Sequence, residues 1–234
     1  MSERQQFKRP PKKYAPKGLK ILFEDRDILV VDKINGLLTI SSAGEKENTA
    51  HFILNDYVQK GNPKSRNRVY IVHRLDKDTS GVLLFAKSEK AKRYLQDNWG
   101  SFTKMYTAIV HGILEEKEGV ISTYLVENKA FKVYSVDDPK EGKLAETGVK
   151  VLKESDKFSL LAIQLYTGRK HQIRVHLSEM GYPVAGDKVY GNKDKGIKRL
   201  ALHASSITIS HPFTKEKMTF EAPLPAYFRS IMKE

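Results

Sequence analysis

Short apolar segments follow one another along much of this chain, with only polar turns between them. Ile21–Glu24 and Ile28–Lys33 flank the turn Asp25–Asp27, and Thr147–Lys153 and Phe158–Tyr166 flank a charged turn. Strands joined by such short turns pair as antiparallel hairpins, because a parallel pair needs a crossover of a dozen or more residues. The sequence therefore predicts an α+β fold, a mixed and largely antiparallel sheet with flanking helices, and disfavours a doubly wound parallel sheet.

Three segments carry helix signals between these strands. They are Asn48–Lys60, Ser88–Trp99 and Lys170–Met180, in which apolar residues recur at helical spacing. Ser88 stands where a capping side chain accepts a free amide proton of the first turn. Gly181 is placed to end the third helix in a left-handed conformation. With so few helices, we expect them to pack on the sheet rather than to alternate with its strands.

The first 18 residues differ in composition from the rest of the chain. They hold six basic residues, one acidic residue and three prolines, which predicts a flexible basic arm over residues 1–18. The chain is long enough for one large domain or two small ones with a substantial core, and residues 19–234 are predicted to form one compact domain. Because neither a signal-peptide segment nor an apolar run of membrane-spanning length is present, we expect a cytoplasmic location and no membrane partner.

The net charge points to a polyanionic partner. Lysine and arginine total 41 against 28 acidic residues, which gives a formal charge of +13. Nucleic acid is the leading candidate for a partner of such a chain. The alternative is that the charge serves general solubility. Charge alone does not indicate a reaction.

The residue types indicate neither a cofactor nor a metal site. The chain has no cysteine, which excludes thiolate nucleophiles, iron–sulfur clusters and cysteine-based zinc sites. No glycine-rich phosphate loop follows a strand. His171 and His176 lie five residues apart, whereas the helical zinc motif H-E-x-x-H places its histidines at i and i+4. Histidines satisfied within the fold are therefore the favoured interpretation.

The densest polar segment between two apolar strands is His73–Gly81, HRLDKDTSG. A loop held by two buried strands is a good support for reactive groups. Its second half has a structural explanation, since Asp, Thr, Ser and Gly favour tight turns. Arg74 and Asp76 are two residues apart and share one side of an extended segment. A functional site and a salt-bridged turn both remain open on these residues alone.

A second polar concentration is Thr167–Leu177, where a strand ends and a helix begins. Its first turn is cationic, which opposes the helix dipole and suggests a phosphate or a carboxylate nearby. His171 and Arg174 are three residues apart and face the same side of the helix. The alternative is a solvated basic face.

These segments resemble the motifs of one enzyme family, the RluA-type pseudouridine synthases. His73–Gly81 is similar to the family's active-site motif. The remaining matches follow in order along the chain: Lys104–Ala108, Thr167–Leu177, 181–187, Tyr190-Gly191, Arg199–Ala204 and His211-Pro212. The resemblance extends from Leu19 to Phe228. One departure is Ile34, which stands where the family's V-x-K-P-x-G pattern has proline and is expected to loosen a turn.

The resemblance implies an RNA pseudouridine synthase that isomerises specific uridines in structured rRNA or tRNA to pseudouridine. Residues 19–234 would form its catalytic domain, with the pseudouridine synthase fold and no additional N-terminal RNA-binding module. The reaction of the family needs no cofactor and no metal. The partner would be an RNA stem-loop, whose unpaired bases can be splayed out, and a monomer is the default assembly.

The resemblance also implies roles for individual residues. Asp76 would be the catalytic nucleophile, either attacking C1′ or abstracting a sugar proton, and Arg174 would keep it ionised. Tyr106 would stack on the uracil. Arg74 would enter the space left by the flipped nucleotide. The other residues expected to bind substrate are His73, Arg169, His171 and Leu202.

Two rival functions remain open. One is a non-catalytic RNA-binding protein on the same scaffold, for which basic charge and exposed aromatic residues would look the same. The other is a metal-dependent phosphoesterase that uses His73, Asp76, His171 and His176. A binding surface does not need a carboxylate, tyrosine and arginine at the family's three positions, so the synthase is favoured.

Overall fold

The computed structural model describes residues 15–41, 44–45, 47–60, 62, 64–191 and 196–232. The chain forms two compact units, unit 1 from residues 1–99 and 210–221 and unit 2 from residues 100–209 and 222–234. The predicted basic arm lies largely outside the described residues, since only residues 15–18 of it are described. One catalytic domain over residues 19–234 stays a prediction.

The strands and helices are numbered in chain order. They are β1 (Leu19–Glu24), β2 (Ile28–Lys33), α1 (Ala50–Gln59), β3 (Tyr70–Ile71), β4 (Ser80–Ala86), α2 (Glu89–Asp97), β5 (Thr103–His111), β6 (Glu118–Glu127), β7 (Val133–Val136), β8 (Lys143–Glu154), β9 (Phe158–Leu165), α3 (Gln172–Glu179), β10 (Leu202–Ser210), β11 (Lys217–Glu221) and α4 (Ala226–Ile231). In the part of the chain that the structure describes, no helix is both long and apolar enough to cross a bilayer.

Unit 1 is built on the antiparallel order β1-β2-β4, with β3 also paired to β4. The predicted hairpin of β1 and β2 is confirmed. Asp25 holds its turn, because one carboxylate oxygen accepts from the backbone N–H groups of Asp27 and Ile28, each at 2.8 Å. Every residue of β4 is buried, so this strand fixes the chain that leads into it.

Two capped helices pack in unit 1 at the predicted places. The Thr49 side chain accepts from the Phe52 amide at the start of α1, and Ser88 accepts from Ala91 at the start of α2. Each cap satisfies one of the amide protons that a helix leaves unpaired at its first turn.

Unit 2 is an antiparallel sheet in the order β10-β5-β9-β8-β6-β7. Its core includes Ile109, Leu161 and Ile163 from the central strands and Leu177 from α3. Together the two units give the α+β architecture and the largely antiparallel strand pairing that the sequence predicts. The short helix α4 was not predicted.

The imidazole of His176 joins α3 to two strands of unit 2. Its Nε2 lies 2.9 Å from the Thr123 hydroxyl on β6, and its Nδ1 lies 2.9 Å from the Thr147 hydroxyl on β8. The ring is almost fully buried. Burial lowers the pKa of His176 to about 4, against the smaller opposing charge of Glu179. The ring is therefore neutral at pH 7.

This buried neutral imidazole predicts acid sensitivity. The folded-state pKa of about 4 lies below the ordinary value of 6.5, so the unfolded chain takes up the proton first as the pH falls. The contribution to stability is complete above the ordinary value and is lost between about pH 6.5 and pH 4. We expect the free energy of unfolding to fall by about 2 kcal/mol between pH 7 and pH 5 from this group.

Urea unfolding of wild type and His176→Gln at the two pH values measures this effect. The variant has no imidazole to charge at this position and should show a shallower pH dependence, even if it is less stable at pH 7. Burial also lowers the pKa of His203. This histidine is present in both proteins, so it supplies the pH dependence of stability that remains in the variant. Equal slopes in wild type and variant would contradict the assignment to His176.

Candidate active site

The loop between β3 and β4 in unit 1 carries three of the predicted site residues. Leu75 is its buried anchor. Thr39 fixes that anchor with two hydrogen bonds, accepting from the Leu75 amide at 3.1 Å and donating to the Leu75 carbonyl at 2.7 Å. On either side of it, Arg74 is exposed and Asp76 is half-buried. The loop therefore presents both charged groups from a fixed backbone.

The turn after Asp76 is held from within and from a neighbouring segment. The Thr79 amide donates to the Asp76 carbonyl at 3.2 Å, and the Gly36 amide donates to the Lys77 carbonyl at 2.9 Å. The Asn35 side-chain amide also donates to the Asp78 carbonyl. Gly81 follows with a φ of +111°, a backbone conformation that glycine adopts without strain. The second half of HRLDKDTSG is thus the tight turn that the sequence predicts.

Lys33 holds this loop through a hydrogen bond to the Lys77 carbonyl. This role was not predicted from the sequence. The Lys33 ammonium is fully buried and donates to three carbonyl oxygens, those of Ile34 at 3.1 Å, Leu37 at 2.8 Å and Lys77 at 3.1 Å. Burial lowers the pKa of Lys33 to about 8, and the charge of Asp76 is the largest opposing influence. The sequence signal that could have indicated this role was the position of Lys33, a charged residue at the end of an otherwise largely apolar strand.

The turn at Ile34 is held by a hydrogen bond that the family's proline would lack. The Ile34 amide donates to the Gly18 carbonyl at 3.1 Å, and proline has no N–H to offer. The expectation that this replacement loosens the turn therefore overlooked a second means of holding it.

His73 is tied into unit 1 through its ring. Its Nε2 accepts from the Leu84 amide at 3.0 Å, and the ring stacks on Trp99 with centroids 4.5 Å apart. These contacts fix the start of the loop against β4. A contact between His73 and RNA stays a prediction.

Arg174 in unit 2 forms a buried ion pair with Asp187. Its Nε and one terminal nitrogen donate to the two carboxylate oxygens of Asp187 at 2.7 and 2.8 Å. The carboxylate also accepts from the amides of Val189 and Tyr190. Burial alone would raise the pKa of Asp187, but Arg174 and these amides outweigh it and hold the pKa below its usual value. Asp187 lay inside a quoted motif but was not singled out.

The residues before Arg174 form a network at the start of α3. His171 immediately precedes the helix and has a φ of +55°, which is why the helix starts at Gln172 rather than at Lys170. Its Nδ1 lies 2.9 Å from the Tyr190 hydroxyl, and the Arg174 guanidinium lies 5.1 Å from the centre of the Tyr190 ring. Lys170 forms an ion pair with Glu127. The sequence suggests a phosphate or a carboxylate near these cationic residues, and Glu127 is such a carboxylate.

The other predicted site residues of unit 2 differ in exposure. Arg169 is exposed, and its Nε donates to the Leu144 carbonyl at 2.9 Å. Tyr106 is half-buried on β5, between Ile163 of β9 and Ala204 of β10. Leu202 is buried in the core of the unit. A direct contact of Leu202 with substrate stays a prediction.

The geometry disfavours the metal-dependent rival. Both ring nitrogens of His176 are within hydrogen-bond distance of threonine hydroxyls, which leaves neither for a metal ion. A different cluster, Asp25, Asp27 and His211, brings possible ligand atoms within 4.8 Å of one another. The Asp25 carboxylate, however, accepts from His211 at 2.8 Å and from two backbone amides, and these hydrogen bonds explain the cluster as a structural feature.

Comparison with known proteins identifies the family of this chain. The family described as RNA pseudouridylate synthase matches residues 27–179, more than half of the chain. The structure is similar to that of human RNA Pseudouridylate Synthase Domain Containing 1, with a TM-score of 0.73, 26% identity and coverage of 95% of this chain and 89% of that one. Human RNA Pseudouridylate Synthase Domain Containing 4, with a TM-score of 0.75, 24% identity and coverage of 89% and 90%, shares the fold.

Curated relatives agree over most of the chain. Uncharacterized RNA pseudouridine synthase YlyB of Bacillus subtilis is 38% identical over 214 residues, which cover 90% of this chain and 70% of the relative. Ribosomal large subunit pseudouridine synthase C of Vibrio cholerae is 34% identical over 221 residues, covering 91% and 68%. The chain therefore belongs to the RNA pseudouridylate synthase family, in its RluA-type branch, and is an isomerase that modifies RNA.

Proposed function

We propose that this enzyme converts specific uridines in structured rRNA or tRNA to pseudouridine, with Asp76 as the catalytic nucleophile. The observation that carries the proposal is the placement of Asp76, a half-buried carboxylate on a loop held by Thr39 and the Lys33 ammonium. A net charge of +13 suits an RNA substrate. The name of the Vibrio cholerae relative refers to the large ribosomal subunit, which supports rRNA as the first substrate to test.

The chemistry is an exchange of bonds at one carbon. The bond from C1′ to N1 of the uracil breaks, the base turns, and a bond from C1′ to C5 forms. The proton on C5 leaves and N1 gains one, so substrate and product have the same atoms. Positive charge develops at C1′ as the first bond breaks, and a carboxylate is the natural partner for it, as in glycoside hydrolysis. Asp76 fills this role by attacking C1′; abstraction of a sugar proton is the alternative.

Other residues of the predicted site serve the same uridine in this proposal. Tyr106 stacks on the uracil, since a tyrosine with an ordinary pKa of about 10 is a poor base at neutral pH. Arg174 is the cationic partner of Asp76 in this proposal. Arg74 is exposed on the loop and inserts where the flipped nucleotide was stacked.

The remaining predicted residues bind the surrounding RNA in this proposal. They are His73, Arg169, His171 and Leu202. The proposal also keeps the sequence-based expectations of a cytoplasmic, monomeric enzyme that uses neither a cofactor nor a metal.

The role of Asp76 is tested by tritium release from RNA labelled at uridine C5. Isomerisation must expel that hydrogen, whereas binding or phosphoester cleavage leaves it in place. Wild type should release tritium from an rRNA or tRNA transcript, and Asp76→Asn should release none while binding the RNA with similar affinity. Release by purified Asp76→Asn, free of host enzyme, would refute the nucleophile. RNA binding without release by wild type would favour the RNA-binding protein instead.

The Arg174–Asp187 pair should matter to both stability and turnover. Asp187→Asn leaves the buried guanidinium without its counter-charge, which costs about 3 kcal/mol in comparable pairs. We expect a lower urea midpoint and a reduced kcat with little change in KM, because Arg174 is mispositioned rather than removed from a binding surface.

A matched control is Glu118→Gln, which breaks the exposed pair of Glu118 with Lys150 in the same unit. Exposed pairs contribute little, so this variant should be close to wild type in both measurements. An Asp187→Asn enzyme with wild-type kcat would show that the pair is purely structural.

Lys33 predicts opposite pH trends for turnover and stability. Its folded-state pKa of about 8 lies below the ordinary 10.5, so the unfolded chain holds the proton more tightly. Between about pH 8 and 10.5 stability should therefore rise with pH. Turnover should fall as pH passes about 8, because Asp76 loses a neighbouring positive charge.

Lys33→Met removes the titrating group at similar length. Both trends should weaken in this variant, with a lower kcat at pH 7, when kcat and urea midpoints are measured from pH 6.5 to 9.5. An unchanged pH profile of kcat would contradict an electrostatic role of Lys33.

A further inference from the structure

The turn between β6 and β7 in unit 2 presents an aromatic ring to solvent. Phe131 is 74% exposed and has a φ of +61°. An L-residue pays a steric penalty in this left-handed region, which glycine does not. Because most of the ring stays in water, burial does not compensate. The fold alone therefore gives no reason for phenylalanine at this position, and a strained, exposed residue is a candidate for a functional contact.

Asn128 makes this turn rigid. Its backbone N–H donates to the Lys132 carbonyl, and its carbonyl accepts from the Phe131 amide, both at 2.9 Å. Its side-chain oxygen accepts from the amides of Ala130 and Lys132, both at 3.0 Å. With four hydrogen bonds on one asparagine, the backbone beneath the ring is ordered before any ligand arrives. Binding to such a support loses little conformational entropy.

Phe131 lies in a lysine-rich part of unit 2. The Lys170 ammonium lies 5.4 Å from the ring centre and donates to the Phe131 carbonyl at 3.2 Å. Lys129 and Lys132 lie close to Phe131 in the turn sequence and both are exposed, and the Lys132 ammonium is 5.9 Å from the centre of the Tyr190 ring. The nearby acidic residue, Glu127, is paired with Lys170. The residues around the ring are thus mainly basic, and most of the ring surface is open to solvent.

The same turn is fastened to the helix that carries Arg174. The Val133 amide donates to the Tyr190 hydroxyl at 3.0 Å, and that hydroxyl is hydrogen-bonded to His171 at 2.9 Å. His171 immediately precedes α3, in which Arg174 lies within the first turn. A ligand held on Phe131 is therefore held at a fixed position relative to Arg174.

We propose that Phe131 is a stacking platform for an unpaired base of the RNA substrate, with Lys129, Lys132 and Lys170 binding the adjoining phosphates. The inference rests on the proposed function for the identity of the substrate. Every base has an aromatic face, so stacking on an exposed ring is tolerant of sequence, and lysines beside the ring attract the backbone. A protein partner would need a much larger apolar area than one ring provides.

The test compares single-stranded and duplex RNA as ligands. The probes are a fluorescein-labelled oligouridylate and the same strand annealed to oligoadenylate, with dissociation constants measured by anisotropy at one low salt concentration. Phe131→Ala should weaken binding of the single strand at least about fivefold, the lower end of aromatic–base stacking. Duplex binding should stay within about twofold, because paired bases cannot stack on the ring. Phe131→Trp should bind the single strand at least as well as wild type.

Two further variants separate binding from folding. Phe131→Gly relieves the left-handed strain, so its urea midpoint should equal or exceed that of wild type while its affinity for oligouridylate falls. Phe52→Ala is the control, since Phe52 is 48% exposed but has Asp56 rather than a lysine one turn along its helix. This variant should bind as wild type does.

The outcomes distinguish this inference from the proposed function. Unchanged affinity in Phe131→Ala, an equal loss for single strand and duplex, or no binding of oligouridylate by wild type would overturn the stacking platform. Tritium release by wild type would leave the proposed function standing in each of these cases. Conversely, a selective loss of single-strand binding without tritium release by wild type would support the platform and contradict the proposed function.

Discussion

The buried ammonium of Lys33 is the interaction on which the candidate loop of unit 1 depends. A charge removed from water is costly unless polar groups replace its hydration. Three carbonyl oxygens do so here, from Ile34, Leu37 and Lys77. Because these carbonyls belong to two separate segments, satisfying one ammonium fixes both segments at once. The backbone that carries Asp76 is therefore positioned in part by the hydrogen bonds that satisfy this charge.

A similar constraint orders the candidate residues of unit 2. The Arg174 guanidinium is buried against Asp187, and the Asp187 carboxylate accepts two backbone amides in the segment that leads to Tyr190. Tyr190 in turn contacts His171 and the β6–β7 turn. One ion pair thus links the helix, the segment after it and a distant hairpin. In both units, a buried charged group positions the candidate residues: the Lys33 ammonium in unit 1 and the Arg174–Asp187 pair in unit 2. Apolar packing holds the surrounding strands and helices together.

The local features of the fold were predictable because their causes are local. The β1–β2 hairpin and the Ser88 cap each depend on residues within a few positions. Helix α3 began two residues later than expected, because His171 adopts a left-handed conformation that histidine seldom takes. Helix α4 lacks a side-chain cap, so nothing in its sequence marked its start.

The roles of Lys33 and Asp187 were not predictable from local sequence. Lys33 donates to a carbonyl 44 residues away, and Asp187 lies 13 residues after Arg174 and outside its helix. Neither contact follows from spacing or propensity. The family resemblance covered both positions but described them only as parts of motifs, so it indicated that they matter without indicating what they bind.

Ile34 shows how the physical account extends the motif. The family's pattern has proline at position 34, whose own carbonyl accepts from Lys33 in this chain, and a proline would restrict the turn through its ring. Isoleucine has no such restriction, but its N–H donates to Gly18, a bond that proline cannot form. The Ile34 carbonyl is thus held for Lys33 by a hydrogen bond instead of by a ring. In this chain the fixed carbonyl therefore rests on a hydrogen bond that a proline at position 34 could not make.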